Sequence, residues 1–201
     1  MAEVLVLVEH AEGALKKVTA ELITAARVLG GSHTSVACSA GHCCGLTHVT
    51  TGRLDAARRT MRATTRHLDA IRGPDGTEVP VVVVEPSCAA TLRGDLPHLL
   101  ADTPDADAAR RVAARIRSSA DHLGRLASEG RAPAWPGGTA PDRVTVQTHC
   151  HEYAVFGARV GITALEALGY RLRPSIDPRS GTAHRFVRDG AQGRADGDGD
   201  E

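Results

Sequence analysis

Cysteines carry most of the chemistry that this sequence offers. They are Cys38, Cys43, Cys44, Cys88 and Cys150. The first three lie within seven residues, whereas the other two are isolated. Adjacent cysteines reach one centre only where the backbone turns sharply, and Gly45 directly after the pair permits such a turn. Thiolates select zinc, copper(I) or iron–sulfur clusters over hard cations. We therefore expect Cys43, Cys44, Cys88 and Cys150 to supply a four-sulfur ligand set, with Cys38 as a spare.

Several other polar residues flank these cysteines. The histidines among them are His42, His48, His149 and His151. One or two of them could bind zinc or donate to a cluster sulfur, and exposure in a loop explains them equally well. Glu85 either orients a ligand as a buried carboxylate or simply ends a strand. For Cys38, which belongs to no spacing pattern, burial as a small hydrophobe is the favoured interpretation.

Composition excludes several classes of protein. The 24 basic residues balance 24 acidic ones, so we expect no nucleic-acid partner. The longest apolar runs, 4–8 and 79–84, are about a third of the roughly 20 residues that a membrane helix needs, so we expect no transmembrane segment. An odd number of cysteines without an export signal argues against a disulfide framework and favours a cytoplasmic protein.

Apolar periodicity predicts strands that alternate with helices. The predicted strands are 4–8, 33–38, 79–84 and 143–147. The predicted helices are 15–29, 54–71, 105–128 and 156–169. This order is typical of an α/β domain with a mostly parallel sheet and flanking helices, followed by a disordered Gly-rich C-terminal tail. Ligands collect beyond the carboxyl ends of such strands, where we expect Cys88 and Cys150.

Four short blocks lie around the cysteines in a recognisable order. They are residues 43–47 (CCGLT), 51–58 (TGRLDAAR), 85–89 (EPSCA) and 147–151 (QTHCH). Together they resemble the cysteine-rich CCG domain that occurs in heterodisulfide reductase, in glycolate oxidase and lactate-utilisation iron–sulfur subunits, and in the C-terminal part of FAD-linked oxidases of the D-lactate dehydrogenase type. The resemblance covers roughly residues 43–170.

The resemblance to the CCG domain implies an iron–sulfur cluster of the 4Fe–4S type. Its implied ligands are Cys43, Cys44, Cys88 and Cys150. Electrons would pass between the cluster and FAD on a partner flavoprotein subunit, or another redox chain. The chain departs from the family pattern in two places: it has no leading cysteine some thirty or more residues before Cys43, and no Cys-Cys-Gly after Cys150. A cluster could therefore fail to assemble on this chain.

The first thirty residues carry a different resemblance. Residues 1–10 (MAEVLVLVEH), 13–19 (GALKKVT) and 21–27 (ELITAAR) are similar to the start of the electron transfer flavoprotein alpha subunit. The implied organisation is an electron transfer flavoprotein alpha-like strand–helix piece (1–31), a CCG-type domain with an incomplete second repeat (32–170) and an irregular to disordered tail (171–201).

These observations predict an iron–sulfur electron-transfer module, or a fragment, of an FAD-linked or lactate/glycolate-type oxidoreductase. We expect such a module to be catalytically incomplete on its own. Two alternatives remain open. One is a zinc-binding or metal-free interaction module with a degenerate cysteine motif, and the other is an electron transfer flavoprotein alpha-like partner protein.

Overall fold

A computed structural model of the chain describes residues 4–8, 10–11, 14–15, 34–38, 42–73, 75–131, 141–173 and 183–188. The strands in these ranges are β1 (Val4–Val8), β2 (His10–Ala11), β3 (Ala14–Leu15), β4 (Thr34–Cys38), β5 (Val81–Val83), β6 (Ile116–Ser118), β7 (Arg143–Gln147), β8 (Tyr170–Arg173) and β9 (Ala183–Arg188). They form a small parallel sheet, an antiparallel sheet and a short two-stranded ladder. The α/β fold class predicted from the sequence is confirmed.

Helices connect these strands and cover the sheet. They are α1 (Leu46–Thr50), α2 (Leu54–Asp69), α3 (Pro86–Ala90), α4 (Leu96–Leu99), α5 (Ala106–Arg115), α6 (Ser119–Ser128), α7 (Cys150–Phe156) and α8 (Val160–Ala167). A π-helical turn, Thr91–Asp95, joins α3 to α4. Among the helices described, none is both long and apolar enough to cross a bilayer.

The parallel sheet has the strand order β4-β1-β5-β6. Strand β1 pairs in parallel with β4 on one side and with β5 on the other, and β5 pairs in parallel with β6. The chain therefore adds β4 on one side of β1 and then crosses to add β5 on the other side. In open α/β sheets, ligands bind beyond the carboxyl ends of the strands at such a reversal of strand order.

The strand β6 corrects the helix that the sequence predicts over 105–128. The chain leaves α5, pairs with β5 over three residues, and enters α6. Ile116 in this strand is completely buried, and the Ser118 hydroxyl accepts a hydrogen bond from the N–H of Asp121 at 3.2 Å, which caps α6. The two helices that flank this strand have the same apolar periodicity, and three residues are too few to interrupt it. The sequence pattern therefore predicted one continuous helix.

The antiparallel sheet corrects a second prediction. Strand β7 pairs with β9, and β9 pairs with β8, so the strand expected at 143–147 does not belong to the parallel sheet. Strands β8 and β9 lie where the sequence analysis expects irregular chain. Phe186 of β9 is 1% exposed and packs with Ile162 and Tyr170. Leu15, the first residue of the helix predicted over 15–29, lies in β3. The remaining residues of that helix and the Gly-rich residues after 188 lie outside the described residues.

A hydrophobic core lies between the parallel sheet and its helices. Its members from α2 and β5 include Met61, Leu68, Val81 and Val83, and Cys44 belongs to the same cluster. The buried side chain of Arg115 in α5 connects this core to the backbone at the end of α2 and to the backbone just before β5. Its guanidinium donates to the carbonyl oxygens of Val79 at 2.8 Å, Leu68 at 3.1 Å and Ile71 at 3.0 Å. The last two carbonyls belong to the C-terminal end of α2 and the residues after it, and the Leu68 carbonyl also accepts the N–H of Ile71 at 3.2 Å.

Candidate functional site

The structure brings two of the predicted ligands, Cys44 and Cys88, into direct contact. Their Sγ atoms are 3.0 Å apart although 44 residues separate them in sequence. Cys44 lies in the loop between β4 and α1, and Cys88 lies in α3, directly after β5. Cys44 is buried and Cys88 is partly buried, so the thiol pair lies at the boundary between the core and solvent. Its position beyond the carboxyl edge of the parallel sheet agrees with the prediction for Cys88.

Gly45 gives the cysteine loop its turn. Its φ of 84° is in the left-handed region, which glycine adopts without steric cost. Its carbonyl accepts the N–H of Val49 at 3.1 Å and so starts α1. A Cβ atom at this position would lie 3.2 Å from Cγ and 3.3 Å from Cε of Met61. Both the backbone conformation and the close approach of α2 therefore favour glycine here.

Thr64 of α2 fixes the backbone of Cys43 by two hydrogen bonds. The Cys43 N–H donates to the Thr64 hydroxyl oxygen at 3.2 Å, and that hydroxyl donates to the Cys43 carbonyl at 2.7 Å. Thr64 is buried and Cys43 is exposed, so both bonds are partly shielded from water. Thr64 was not among the residues predicted for the site. The available signal was a threonine in the middle of the apolar face of a predicted helix.

Glu85 positions Cys88 from the other side. Its carboxylate accepts the N–H of Cys88 at 2.6 Å and caps α3, with Pro86 at the first helical position. Burial raises the pKa of the Glu85 carboxyl, but the N–H groups of Cys88 and Ser87 outweigh burial and bring the pKa below its ordinary value. Glu85 is exposed. Of the two interpretations that the sequence left open, the structure favours a strand terminator, which here also caps a helix.

The two thiols share one proton. The hydrogen bond from Cys88 lowers the pKa of Cys44 to about 6 against the opposing effect of burial, with help from the N–H of Leu46 and the side chain of Cys43. The pKa of Cys88 is raised, because its proton bonds to Cys44 and because burial disfavours its charged form. At neutral pH the pair therefore holds one negative charge, centred on Cys44. Chemically it is a thiolate with a thiol in contact.

The other predicted ligands are less closely gathered. Cys43 is exposed, and the Gly45 N–H lies 3.5 Å from its Sγ. Cys150 is also exposed, at the first residue of α7, which packs against α3. The side chain of Cys38 lies outside the described residues. In the ranges that the structure describes, no three His, Cys, Asp or Glu side chains are placed to hold a metal ion. The donor atoms suit a soft metal, but the four-sulfur arrangement is not assembled there.

The predicted histidines have other partners. His149 accepts the N–H of His151 on Nδ1 at 3.3 Å, so a neutral ring carries its proton on Nε2, which lies 3.5 Å from the Ser87 hydroxyl. In that tautomer His149 donates to Ser87 and cannot activate it as a nucleophile. The His42 ring stacks on His67 with centroids 4.3 Å apart. His48 lies in the last turn of α1.

Comparison with known proteins identifies one short segment. Thirty residues of the chain are 93% identical to the electron transfer flavoprotein subunit alpha of two Mycobacterium tuberculosis strains, CDC 1551 / Oshkosh and H37Rv. The identity to the same subunit of Mycobacterium leprae is 90% over 30 residues. The match covers 15% of this chain, and the chain spans only 9% of the length of these relatives.

Two further comparisons found nothing. No family model and no solved structure matches the chain. The similarity of residues 1–30 to the electron transfer flavoprotein alpha subunit is thus supported over a segment of that length. The resemblance of residues 43–170 to the CCG domain, and the cluster that it implies, remain predictions.

Proposed function

We propose that this chain is an electron-transfer component of an oxidoreductase, with its redox centre at Cys44 and Cys88. The observation that carries the proposal is the 3.0 Å contact between these two thiols. The loop after β4 supplies Cys44 and the short helix α3 after β5 supplies Cys88, at the edge of the sheet where ligands of α/β proteins bind. The 30-residue match to an electron transfer flavoprotein subunit supports a redox role.

The cofactor that we propose is an iron–sulfur cluster. Cys43, Cys44, Cys88 and Cys150 are its proposed ligands, and when bound it would supply one-electron transfer to and from FAD on a partner flavoprotein chain. The thiolate on Cys44 is a ready soft donor, and Cys88 contacts it. A cluster needs about four thiolates. The described geometry joins two of them, so Cys43 and Cys150 are the residues whose contribution requires direct proof.

Metal and sulfide analysis tests the cluster. We expect protein purified without oxygen, or reconstituted with iron and sulfide, to be brown and to contain iron and acid-labile sulfide in comparable amounts. Cys44→Ser and Cys88→Ser should abolish bound iron, whereas Cys38→Ser should retain it and is the matched control. Colourless protein without iron after reconstitution would overturn the cluster. Loss of iron only in Cys38→Ser would show that the ligand assignment is wrong.

A second candidate function is that of a partner protein resembling the electron transfer flavoprotein alpha subunit. The 93% identity over 30 residues favours it. This function predicts a yellow protein that releases FAD in an equimolar amount on denaturation, with no iron. Colourless protein on purification in the presence of FAD would exclude it.

An interaction module held together by zinc gives a different result in the same analysis. It predicts stoichiometric zinc without iron, and a melting temperature that falls when zinc is chelated, because a metal bound only by the folded state stabilises that state. Protein with neither metal, whose melting temperature does not respond to chelator, would leave a metal-free module.

A further inference from the structure

We propose that Cys44 and Cys88 form a reversible intramolecular disulfide, so that the metal-free protein is a dithiol–disulfide couple that exchanges with other disulfides. The inference concerns the free thiols alone and does not depend on an iron–sulfur cluster. It assigns a second chemistry to the contact described above.

The geometry of the pair carries the proposal. The Sγ atoms are 3.0 Å apart, and a disulfide bond is about 2.05 Å long, so the two sulfurs need to approach by about 1 Å. Neither cysteine lies in a β-strand. Cys44 lies in a loop that turns at Gly45, and Cys88 lies in a five-residue helix. The side chain of Cys43 also interacts with Cys44, but it is exposed, whereas Cys88 is partly buried beside Cys44.

Burial favours closure of the pair within one molecule. Cys44 is 8% exposed, so a second copy of the chain has little access to its sulfur. Cys88 is partly exposed, so an external disulfide can reach the pair. Cys43 and Cys150 are exposed, so we expect them to stay reduced or to form mixed disulfides with external disulfides instead.

The reaction is ordinary thiol–disulfide exchange. One sulfur of the pair, as its thiolate, attacks a sulfur atom of an external disulfide R–S–S–R, and the first R–S⁻ leaves. The second sulfur then loses its proton and attacks the protein sulfur of the mixed disulfide, and the second R–S⁻ leaves. Overall, two protein thiols are oxidised to one disulfide, and one external disulfide is reduced to two thiols.

This reaction has a consequence for metal binding. A disulfide occupies the sulfur valence of both residues, so neither can act as a thiolate ligand. The ratio of external disulfide to thiol would therefore set the fraction of protein able to bind a soft metal at this site. Reduction would restore both ligands together.

Mass spectrometry of metal-free protein tests the proposal. Protein prepared with chelator is equilibrated with mixtures of oxidised and reduced dithiothreitol, alkylated and digested with trypsin. Cleavage after arginine places Cys44 in the peptide 28–53 and Cys88 in the peptide 73–93. We expect these two peptides to be joined in oxidising mixtures, with the loss of two alkylation sites per chain, and to separate again on reduction.

Single substitutions identify the sulfurs. Peptide 28–53 also contains Cys38 and Cys43, so Cys38→Ser and Cys43→Ser serve as matched controls that should keep the link. Cys44→Ser and Cys88→Ser should lose it. A link that persists in Cys44→Ser, or five alkylated cysteines in the most oxidising mixture, would overturn the proposal. All of these measurements use metal-free protein. A chain that forms no disulfide is therefore distinguished from a chain that binds no iron.

Discussion

Gly45→Ala tests whether the left-handed turn and the close approach of α2 shape the cysteine loop. A φ of 84° costs a residue with a Cβ about 1 kcal/mol. The new Cβ would also lie 3.2 Å from Cγ of Met61, whose side chain must shift by a few tenths of an ångström at a cost of about 1 kcal/mol. We therefore expect a total loss of about 2 kcal/mol in the free energy of unfolding.

Gly52→Ala is the matched control for this experiment. Gly52 has a φ of 72°, and a Cβ there would meet nothing within 4 Å, so only the backbone cost of about 1 kcal/mol applies. Urea titration at constant m-value measures both losses. In a Met61→Ala background the excess cost of Gly45→Ala should disappear, since the contact is then absent.

Two results would contradict this prediction for the cysteine loop. If Gly45→Ala destabilises no more than Gly52→Ala, the contact with Met61 is not close. If neither substitution destabilises the protein, the left-handed conformation is not required at either position. An intermediate result, in which Gly45→Ala keeps its excess cost without Met61, would place the conflict elsewhere, with the carbonyl of Ala57 at 3.6 Å as the next neighbour.

Three other predictions concern charge and burial. The rate at which iodoacetamide alkylates Cys44 should rise with pH, with a midpoint near pH 6. Cys88→Ala should move that midpoint up towards 9.0, because the hydrogen bond that lowers the pKa of Cys44 is lost. A midpoint that does not move in Cys88→Ala would contradict this prediction. Arg115→Met should cost about 3 kcal/mol of unfolding free energy, because the carbonyls of Val79 and Ile71 lose the guanidinium donor and the Leu68 carbonyl loses one of its two donors, whereas the exposed Arg110→Met should cost under about 0.5 kcal/mol. Burial lowers the pKa of His122 below 6.5, so near that pH the unfolded chain binds a proton that the folded protein does not. The urea concentration at the unfolding midpoint should therefore fall as the pH decreases through 6.5. His122→Leu should remove this contribution to the pH dependence of the midpoint.

Predictions from the sequence succeeded where the structure of a short segment depends on the residues of that segment alone. The β-branched run at 79–84 contains β5, and the apolar positions of 54–71 include the buried face of α2. The same kind of local evidence placed Cys88 just after a strand and a turn at Gly45. These features depend on side-chain branching, apolar spacing and backbone freedom within a few residues, all of which are visible in the chain itself.

Tertiary structure decided what depends on residues distant in sequence. Ile116 is in a strand because β5 offers a parallel partner, and β7 is antiparallel because the distant strand β9 pairs with it. Folding likewise determines which of the five cysteines are in contact, because it brings Cys44 next to Cys88. Strand pairing and shared protons are properties of two segments together, so no pattern in either segment alone contains them.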